Sequence, residues 1–424
     1  MKTKQCYHNI LVYVLTSIVA TILFQSCTDN DSLYKEGKSF YDNKQYLQAF
    51  ALYQKAANGG NNSAMNDIGW MYEKGEGVNV DFNKAMEWYQ KAVKGGSNAA
   101  MTNIGWMYDK AEGVTEDNVK AVEWYRKGIE AGNVDAIYDL AWMYENGEGV
   151  DTDYLKAMEY YQQAAKAGNA EAMTNIGWMY EKGKGINVNY SKAMEWYNKS
   201  SLQGISDATF NIGYMYENGE GVSVDYQKAM QLYQQASKNG NARAMNNIGW
   251  LYHKGLGVEK DNNIAIEWYK KSANAGYDNA FYNMGWMYQH GEGVAVDYSK
   301  AMEWYQKAAA TQNIQALNNI GWMYEKGEGI DIDYQKAKEW YAKAASLGSA
   351  DAMNNLGWMY QNGEGVKVDF QMAMNWYQKA SDAGSVNGMN NVALMFEQGK
   401  GTKKDTKKAT EWYKKANESK SQQE

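Results

Sequence analysis

The residues most able to make specific contacts in this chain are tryptophans that recur every 36 residues. Eight of them occupy one position of the period: Trp70, Trp106, Trp142, Trp178, Trp250, Trp286, Trp322 and Trp358. Tyr214 and Leu394 take that position in two further units. An indole has a flat apolar face and an N–H donor, so it can cover apolar side chains or stack on sugar rings. This tryptophan row is therefore suited to holding an extended ligand.

A row of amide side chains lies beside the tryptophans, three residues earlier in each unit. Its members are Asn103, Asn175, Asn211, Asn247, Asn283, Asn319, Asn355 and Asn391, and Asp67 and Asp139 complete the row. An amide both donates and accepts hydrogen bonds. The amide row therefore suits a peptide backbone, which alternates donors and acceptors, and it equally suits the hydroxyls of a glycan.

Packing between repeats is the alternative interpretation of the tryptophan row. If the units are recent copies of one ancestral unit, each indole would pack against the next helix and bind nothing. Eight further tryptophans, among them Trp88 and Trp304, lie beside a tyrosine that recurs in every unit. For these eight, packing between repeats is the favoured interpretation.

The sequence indicates no catalytic or metal chemistry. The Gly-Glu-Gly segment at 75–77 resembles a phosphate loop only superficially, because a phosphate loop follows a strand and carries a lysine pattern that is missing here. His253 and His290, the two histidines after the leader, lack a carboxylate–histidine motif and are predicted to be surface residues. Glutamates repeated in most units, such as Glu87, are typical of a solvated helix face. We predict no enzyme, no cofactor and no metal.

Composition argues against nucleic acid as a partner. The formal net charge is −7, from 43 basic and 50 acidic residues, and lysine and glutamate alternate instead of forming a basic stripe. Both cysteines, Cys6 and Cys27, precede the repeats, which therefore hold no disulfide. The chain has no proline to interrupt helices, and 41 glycines serve its turns.

The elements that must position the two rows are pairs of helices. In the unit at 63–96, Ala64, Ile68 and Met71 fall on one helical face, and two glycines follow that helix. Asp81 then stands where the N-cap of a second helix belongs. Neither helix can bury its apolar face alone, so stacked units must share a continuous core.

Helical geometry separates the tryptophan row from this core. At about 100° per residue, Trp70 lies about 240° around the first helix from Ala64. Its neighbours on that side are Asn66, Glu73 and Lys74. The row is therefore predicted on the polar face of the first helices.

The repeated pattern resembles the SEL-1-like repeat family, relatives of tetratricopeptide repeats with a longer loop between the two helices. It reads alanine, two apolar residues, glycine, Met-Tyr, Gly-x-Gly-Val, an aspartate cap, Lys-Ala and Trp-Tyr-x-Lys-Ala, and it covers residues 61–416. The resemblance implies an all-α, right-handed αα-superhelical solenoid of about 22 helices whose first helices line a concave groove. It implies a non-enzymatic scaffold that binds a protein or peptide segment along this groove. A glycan or peptidoglycan is the alternative ligand.

The chain is predicted to divide into five segments. These are a signal peptide at 1–26, a tether at 27–31, a tetratricopeptide-like N-terminal cap at 32–60, ten 36-residue repeats at 61–420 and a tail at 421–424. The last repeat is rich in lysine, as expected of a polar cap where stacking stops.

The leader predicts export. Ile10 to Phe24 carry no charge, and this stretch is shorter than the roughly 20 residues that a spanning helix needs. Phe-Gln-Ser-Cys at 24–27 resembles a bacterial lipobox, so Cys27 is predicted to carry a lipid. Acidic residues at 28–31 resemble an export tag of surface lipoproteins.

The predicted location is therefore a bacterial cell envelope, with the chain held in the outer membrane by its lipid. An inner-membrane signal anchor and a secreted protein are the alternatives. A relative in the eukaryotic secretory pathway, glycosylated at Asn61 or Asn189, is a third interpretation that the lipobox-like segment disfavours.

Overall fold

The structure of the protein, a computed structural model, describes residues 30–423. Over these residues it has 22 helices and no strand, so the predicted all-α repeat solenoid is confirmed. The helices are α1 (30–42), α2 (Tyr46–Asn58), α3 (Asn62–Lys74), α4 (Phe82–Lys94), α5 (Asn98–Asp109), α6 (Asn118–Glu130), α7 (Asp135–Asn146), α8 (Tyr154–Lys166), α9 (Ala170–Lys182), α10 (Tyr190–Ser201), α11 (Ser206–Asn218), α12 (Tyr226–Lys238), α13 (Ala242–Lys254), α14 (Asn262–Asn274), α15 (Asp278–His290), α16 (Tyr298–Ala310), α17 (Ile314–Lys326), α18 (Tyr334–Ser346), α19 (Ala350–Asn362), α20 (Phe370–Asp382), α21 (Val386–Gln398) and α22 (Thr406–Gln423). The predicted signal peptide and Cys27 lie outside the described residues.

These helices form two compact units. The N-terminal unit ends at Ile205 and holds α1 to α10, and the C-terminal unit begins at Ser206 and holds α11 to α22. No helix within residues 30–423 is both long and apolar enough to cross a membrane.

Local sequence sets the helix boundaries, as the pair α17 and α18 illustrates. The side chain of Asn313 caps α17 by accepting a 2.9 Å hydrogen bond from the backbone N–H of Ala316. Gly327 ends this helix in the left-handed region, at φ 72°, where a side chain would be strained. Asp333 caps α18 through the N–H of Lys336 at 3.0 Å. Both helices of this pair therefore begin at a cap that lies beside them in the sequence.

Within each unit, part of the core lies between a second helix and the first helix of the following repeat. In the C-terminal unit, Tyr305 of α16 packs with Ile320 and Met323 of α17, and all three are fully buried. Within a pair, a Cβ added at Gly321 would lie 2.7 Å from the Tyr341 ring, so the glycine allows the ring to lie against α17. One face of each first helix therefore packs in the core, and the opposite face can contact a binding partner.

The first pair of helices has a shorter connection than the repeats. Residues 43–45 join α1 to α2, whereas residues 327–333 join α17 to α18. A shorter loop is what the sequence predicts for the tetratricopeptide-like cap at 32–60.

Candidate partner-binding face

The tryptophan row contains four exposed indoles and four that pack against the core. In the N-terminal unit Trp70 and Trp106 are each 39 % exposed, and in the C-terminal unit Trp322 is 40 % and Trp358 44 % exposed. The other four row indoles, which are half-buried and pack against hydrophobic clusters, are Trp142, Trp178, Trp250 and Trp286. Each unit therefore presents two exposed and two half-buried indoles.

A lysine lies over several row indoles. The ammonium of Lys326 is 4.7 Å from the ring centroid of Trp322, and that of Lys74 is 4.7 Å from the ring of Trp70. Lys326 also pairs with Glu325, whose carboxylate raises the pKa of this lysine. We call the side of the first helices that carries the tryptophan row the first-helix face. It contains both aromatic and charged groups.

In five repeats a buried or partly buried phenol–carboxylate bond holds the end of the first helix in place. The hydroxyl of Tyr341 in α18 donates to Glu325 Oε2 over 2.8 Å, and burial and the Glu325 charge raise the pKa of this tyrosine. The same bond joins Tyr89 to Glu73, Tyr161 to Glu145, Tyr197 to Glu181 and Tyr233 to Glu217. The sequence analysis missed this bond, although the partners recur 16 residues apart.

The amide row is half-buried, and most of its donors already have partners. Four members donate to an amide oxygen of the preceding repeat over 2.8–3.1 Å: Asn103, Asn283, Asn355 and Asn391. Asn319 and Asn247 donate to the hydroxyls of Tyr305 and Tyr233. Asn175 and Asn211 are half-buried in the same row. The donors therefore stabilise stacking between repeats, a use that the sequence did not predict.

Two equivalent cavities open between successive indoles of the row. One, of about 250 Å³, lies between Trp106 and Trp142, and the other, of about 220 Å³, between Trp250 and Trp286. At these places aspartate or histidine replaces the glutamate or glutamine of the other repeats, as Asp109 and His253. A further cavity of about 260 Å³ lies between Trp70 and Trp106, where Glu73 is present, so these replacements change the lining of the cavities and are not needed to open them.

The prediction that His253 is a surface residue is wrong. This side chain is 7 % exposed, because it occupies the inward position that glutamate takes elsewhere. Its ring lies 5.2 Å from the ring of Trp286, and burial lowers its pKa. His290 is exposed and stacks on the other side of Trp286 at 4.2 Å. Within the described part of the chain, no group of three or more potential ligands could hold a metal ion.

The second-helix tryptophans pack between repeats, as predicted. Trp340 contacts the cluster that contains Tyr305 and Ile320, and Trp88 contacts the cluster around Tyr53. In all eight cases a lysine three residues later lies 4.1–4.4 Å from the ring centroid. These indoles serve the core and not the first-helix face.

Comparison with known proteins places these features in a family. The Sel1 repeat model matches eleven segments: 32–61, 62–97, 98–133, 134–169, 170–205, 206–241, 242–277, 280–310, 314–349, 350–385 and 386–421. The first of them is the segment predicted as a cap. No curated protein matches the chain.

Two solved structures are similar over long stretches. A protective antigen of uropathogenic Escherichia coli with an SLR fold is 32 % identical, with 93 % of this chain and 86 % of that chain covered and a TM-score of 0.57. A Sel1 repeat protein from Oxalobacter formigenes is 30 % identical, with 57 % of this chain and 96 % of that chain covered and a TM-score of 0.52.

Proposed function

We propose, from the premise that this chain belongs to the Sel1 repeat family, that it binds a protein or peptide segment along the first-helix face through its tryptophan row. Sel1 repeat proteins are generally non-enzymatic scaffolds for protein interaction. What we propose for this chain is that its tryptophan row contacts the partner.

The exposed indoles are the observation that carries it. Trp322 and Trp358 project from neighbouring repeats of the C-terminal unit with about two-fifths of their surface exposed. Aromatic residues that leave water on binding are common anchors of interfaces, and each contributes about 2 kcal/mol or more. Indoles that are exposed in successive repeats could contact an extended partner that crosses one first helix after another.

A peptide fits the face better than a glycan. The amide donors that would bind a peptide backbone or sugar hydroxyls are used between repeats, as for Asn355 and Asn318, so they favour neither ligand. Lysines cover part of the indole faces on which a sugar ring would stack, as Lys326 does on Trp322. A glycan or peptidoglycan therefore remains the alternative outcome of the test.

The test compares the Trp322→Ala/Trp358→Ala double variant with wild type. A peptide selected by wild type from a random-sequence display library is titrated by calorimetry, and a glycan array is probed in parallel. Loss of two anchors should weaken peptide binding by at least about 100-fold. The matched control, Trp322→Phe/Trp358→Phe, keeps aromatic plates at both positions and should retain most of the affinity. Unchanged peptide affinity in the alanine variant would contradict the proposal, and saturable glycan binding without peptide binding would replace it.

We also propose that Cys27 carries the lipid that holds the chain in a bacterial outer membrane. The lipobox-like segment at 24–27 supports this proposal, and α1 already includes residue 30, so the repeats would start at the membrane surface. Labelled palmitate should enter wild type but not Cys27→Ser. Equal labelling, or none, would indicate instead an inner-membrane anchor or a secreted protein.

A further inference from the structure

We propose that the cavity between Trp106 and Trp142 binds a cationic side chain of the partner, an arginine guanidinium or a lysine ammonium. This inference rests on the proposed function, because it names the chemistry that one subsite of the first-helix face would recognise.

The walls of this cavity are aromatic and acidic. The cavity has a volume of about 250 Å³ and is lined by the two indoles, the rings of Tyr125 and Tyr138, the carboxylates of Asp109 and Asp139, and by Lys110 and Met143. Indole faces attract cations through their negative π surface, most strongly where water is excluded. A carboxylate beside two indoles adds a direct charge partner for a guanidinium or an ammonium.

Asp139 is the group that the fold leaves without a partner. Eight of its equivalents in other repeats are asparagines, and four of these donate to an asparagine of the preceding repeat, as Asn103 does to Asn66. In the repeat before Asp139 that asparagine is replaced by Thr102, whose hydroxyl bonds to its own helix. No hydrogen bond or ion pair of the Asp139 carboxylate occurs within residues 30–423. The half-buried carboxylate is therefore available to a ligand.

The local charge balance favours a cation. Asp109 pairs with Lys110 over 2.8 Å, and the charge of this lysine also attracts Asp139, but neither Asp135 nor Asp139 has an ion pair of its own among the residues that the structure describes. Burial, and then the charges of Asp135 and Asp109, raise the pKa of Asp139 to about 7. A bound cation would relieve this repulsion.

The protein's own lysine demonstrates that a cation fits this environment. The Lys110 ammonium lies 5.2 Å from the ring centroid of Trp106 and 4.8 Å from that of Trp142. It is held at one edge by Asp109. A second cation, opposite Asp139, would complete the arrangement.

The equivalent cavity in the C-terminal unit serves as an internal control. It keeps both indoles, Trp250 and Trp286, and a lysine, Lys254. Asn283 and His253 replace the two aspartates, so this cavity contains no carboxylate. Aromatic contact is thus retained while the negative charge is removed, and a cation should discriminate between the two cavities.

The experiment uses the full chain labelled with 5-fluorotryptophan and observed by fluorine NMR. Resonances of the four indoles are assigned with single Trp→Phe variants. The probe is n-butylguanidinium, and n-butylurea is its neutral counterpart of nearly the same shape. In wild type the probe should shift the Trp106 and Trp142 resonances saturably, while butylurea should not. The Trp250 and Trp286 resonances should remain unchanged.

The variant Asp139→Asn tests the role of the carboxylate and should keep the fold, since asparagine occupies this position in eight other repeats. It should weaken binding of butylguanidinium by at least about tenfold, which corresponds to one lost charge-assisted contact of about 1.4 kcal/mol. Wild-type affinity should also fall as salt screens the attraction. Equal shifts with butylurea, equal binding to both cavities, or unchanged affinity in Asp139→Asn would each overturn the inference.

These outcomes are separate from those of the peptide test. If butylguanidinium fails to bind while Trp322→Ala/Trp358→Ala still loses the selected peptide, the cationic subsite is wrong and the proposed function stands. If the peptide test fails as well, both are wrong.

Discussion

The two sets of tryptophans have the same side chain and different environments. In the first helices, Trp322 is 40 % exposed and lies on the side away from the core. In the second helices, Trp340 is half-buried against a hydrophobic cluster. Trp322 follows the buried Ala316 by six residues, about 240° around its helix, whereas Trp340 follows the buried Ala337 by three, about 300°. Helical phase therefore separates Trp322 from Trp340, whereas the half-buried Trp142, Trp178, Trp250 and Trp286 show that neighbouring side chains also decide how far an indole of the row is exposed.

This difference indicates that residue type does not by itself assign a role in a repeat protein. Both sets have a lysine over the ring, as Lys326 over Trp322 and Lys343 over Trp340. The two indoles differ in their other neighbours, since Trp340 packs against a hydrophobic cluster and Trp322 is exposed to solvent. Variants that act on one set and spare the other therefore test the comparison directly.

The largest effect is expected for Trp340→Ala compared with Trp322→Ala. Removing the half-buried indole of Trp340 should leave a cavity and cost about 2–4 kcal/mol, whereas removing the exposed indole of Trp322 should cost about 1 kcal/mol or less. Urea unfolding of the two variants, with hydrogen exchange of α17 to α19, measures this difference. Equal losses would mean that both sets are structural and would remove the main support for a binding face.

A smaller loss is expected for Tyr341→Phe, with Tyr269→Phe as its matched control. The hydroxyl of Tyr341 donates to Glu325, which is 5 % exposed, so its removal leaves a buried carboxylate with one partner fewer. The cost should be about 1–3 kcal/mol. At Tyr269 the equivalent carboxylate is replaced by His253, and the cost should be below about 1 kcal/mol. Urea midpoints that fall equally in both variants would contradict the structural role of this bond.

A gain in stability that depends on pH is expected for Asp139→Asn. Burial, and then Asp135 and Asp109, raise the pKa of Asp139 from 3.8 to about 7, so the folded state holds its proton more tightly than the unfolded chain does. Wild type should therefore lose stability relative to the variant as pH rises from about 4, and the full penalty should be present above pH 7. Because the side chain is partly solvated, we expect about 1–2 kcal/mol at pH 8.

Thermal unfolding of both proteins at pH 4.5 and pH 8 measures this gain. The Tm difference should be small at the lower pH and larger at the higher pH. A difference independent of pH would indicate an altered contact in place of a relieved charge.

The smallest effect is expected for Lys343→Met, which removes the charge over Trp340 and keeps most of the aliphatic stem. The ammonium lies 4.2 Å from the ring centroid and is exposed, so the loss should be about 0.5–1 kcal/mol. The Trp340→Ala/Lys343→Met double variant completes the cycle. If the lysine acts through the ring, its substitution should cost nothing once the indole is absent.

Much of the fold follows from the sequence because its determinants are local. The caps at Asn313 and Asp333 and the left-handed glycine at Gly327 lie within a few residues of the boundaries that they set. The alternation of apolar and polar positions fixes which face of each helix is buried, and this placed Trp322 on the exposed side. The repeat period then applies the same assignment to every unit.

Contacts between repeats could not be predicted in this way, because they join residues distant in the chain. The bond from Asn355 to Asn318 spans 37 residues and depends on how closely neighbouring first helices approach. It uses the donors that the sequence assigned to a ligand. The burial of His253 likewise follows from its contacts with Trp286 of the next repeat and with Asn262 of the second helix, and not from its residue type.

The sequence by itself determined the helices, their period and the face on which the tryptophan row lies, since these depend on side chains within one or two turns of each other. The tertiary structure alone decided which polar groups can still form hydrogen bonds or ion pairs with a ligand. Asp139 occupies the amide row, and only the packing of α7 against the preceding repeat leaves its carboxylate without a partner between two indoles. Hydrogen-bond capacity in a stacked array is set by the neighbouring repeat, so it appears only when the repeats are in contact.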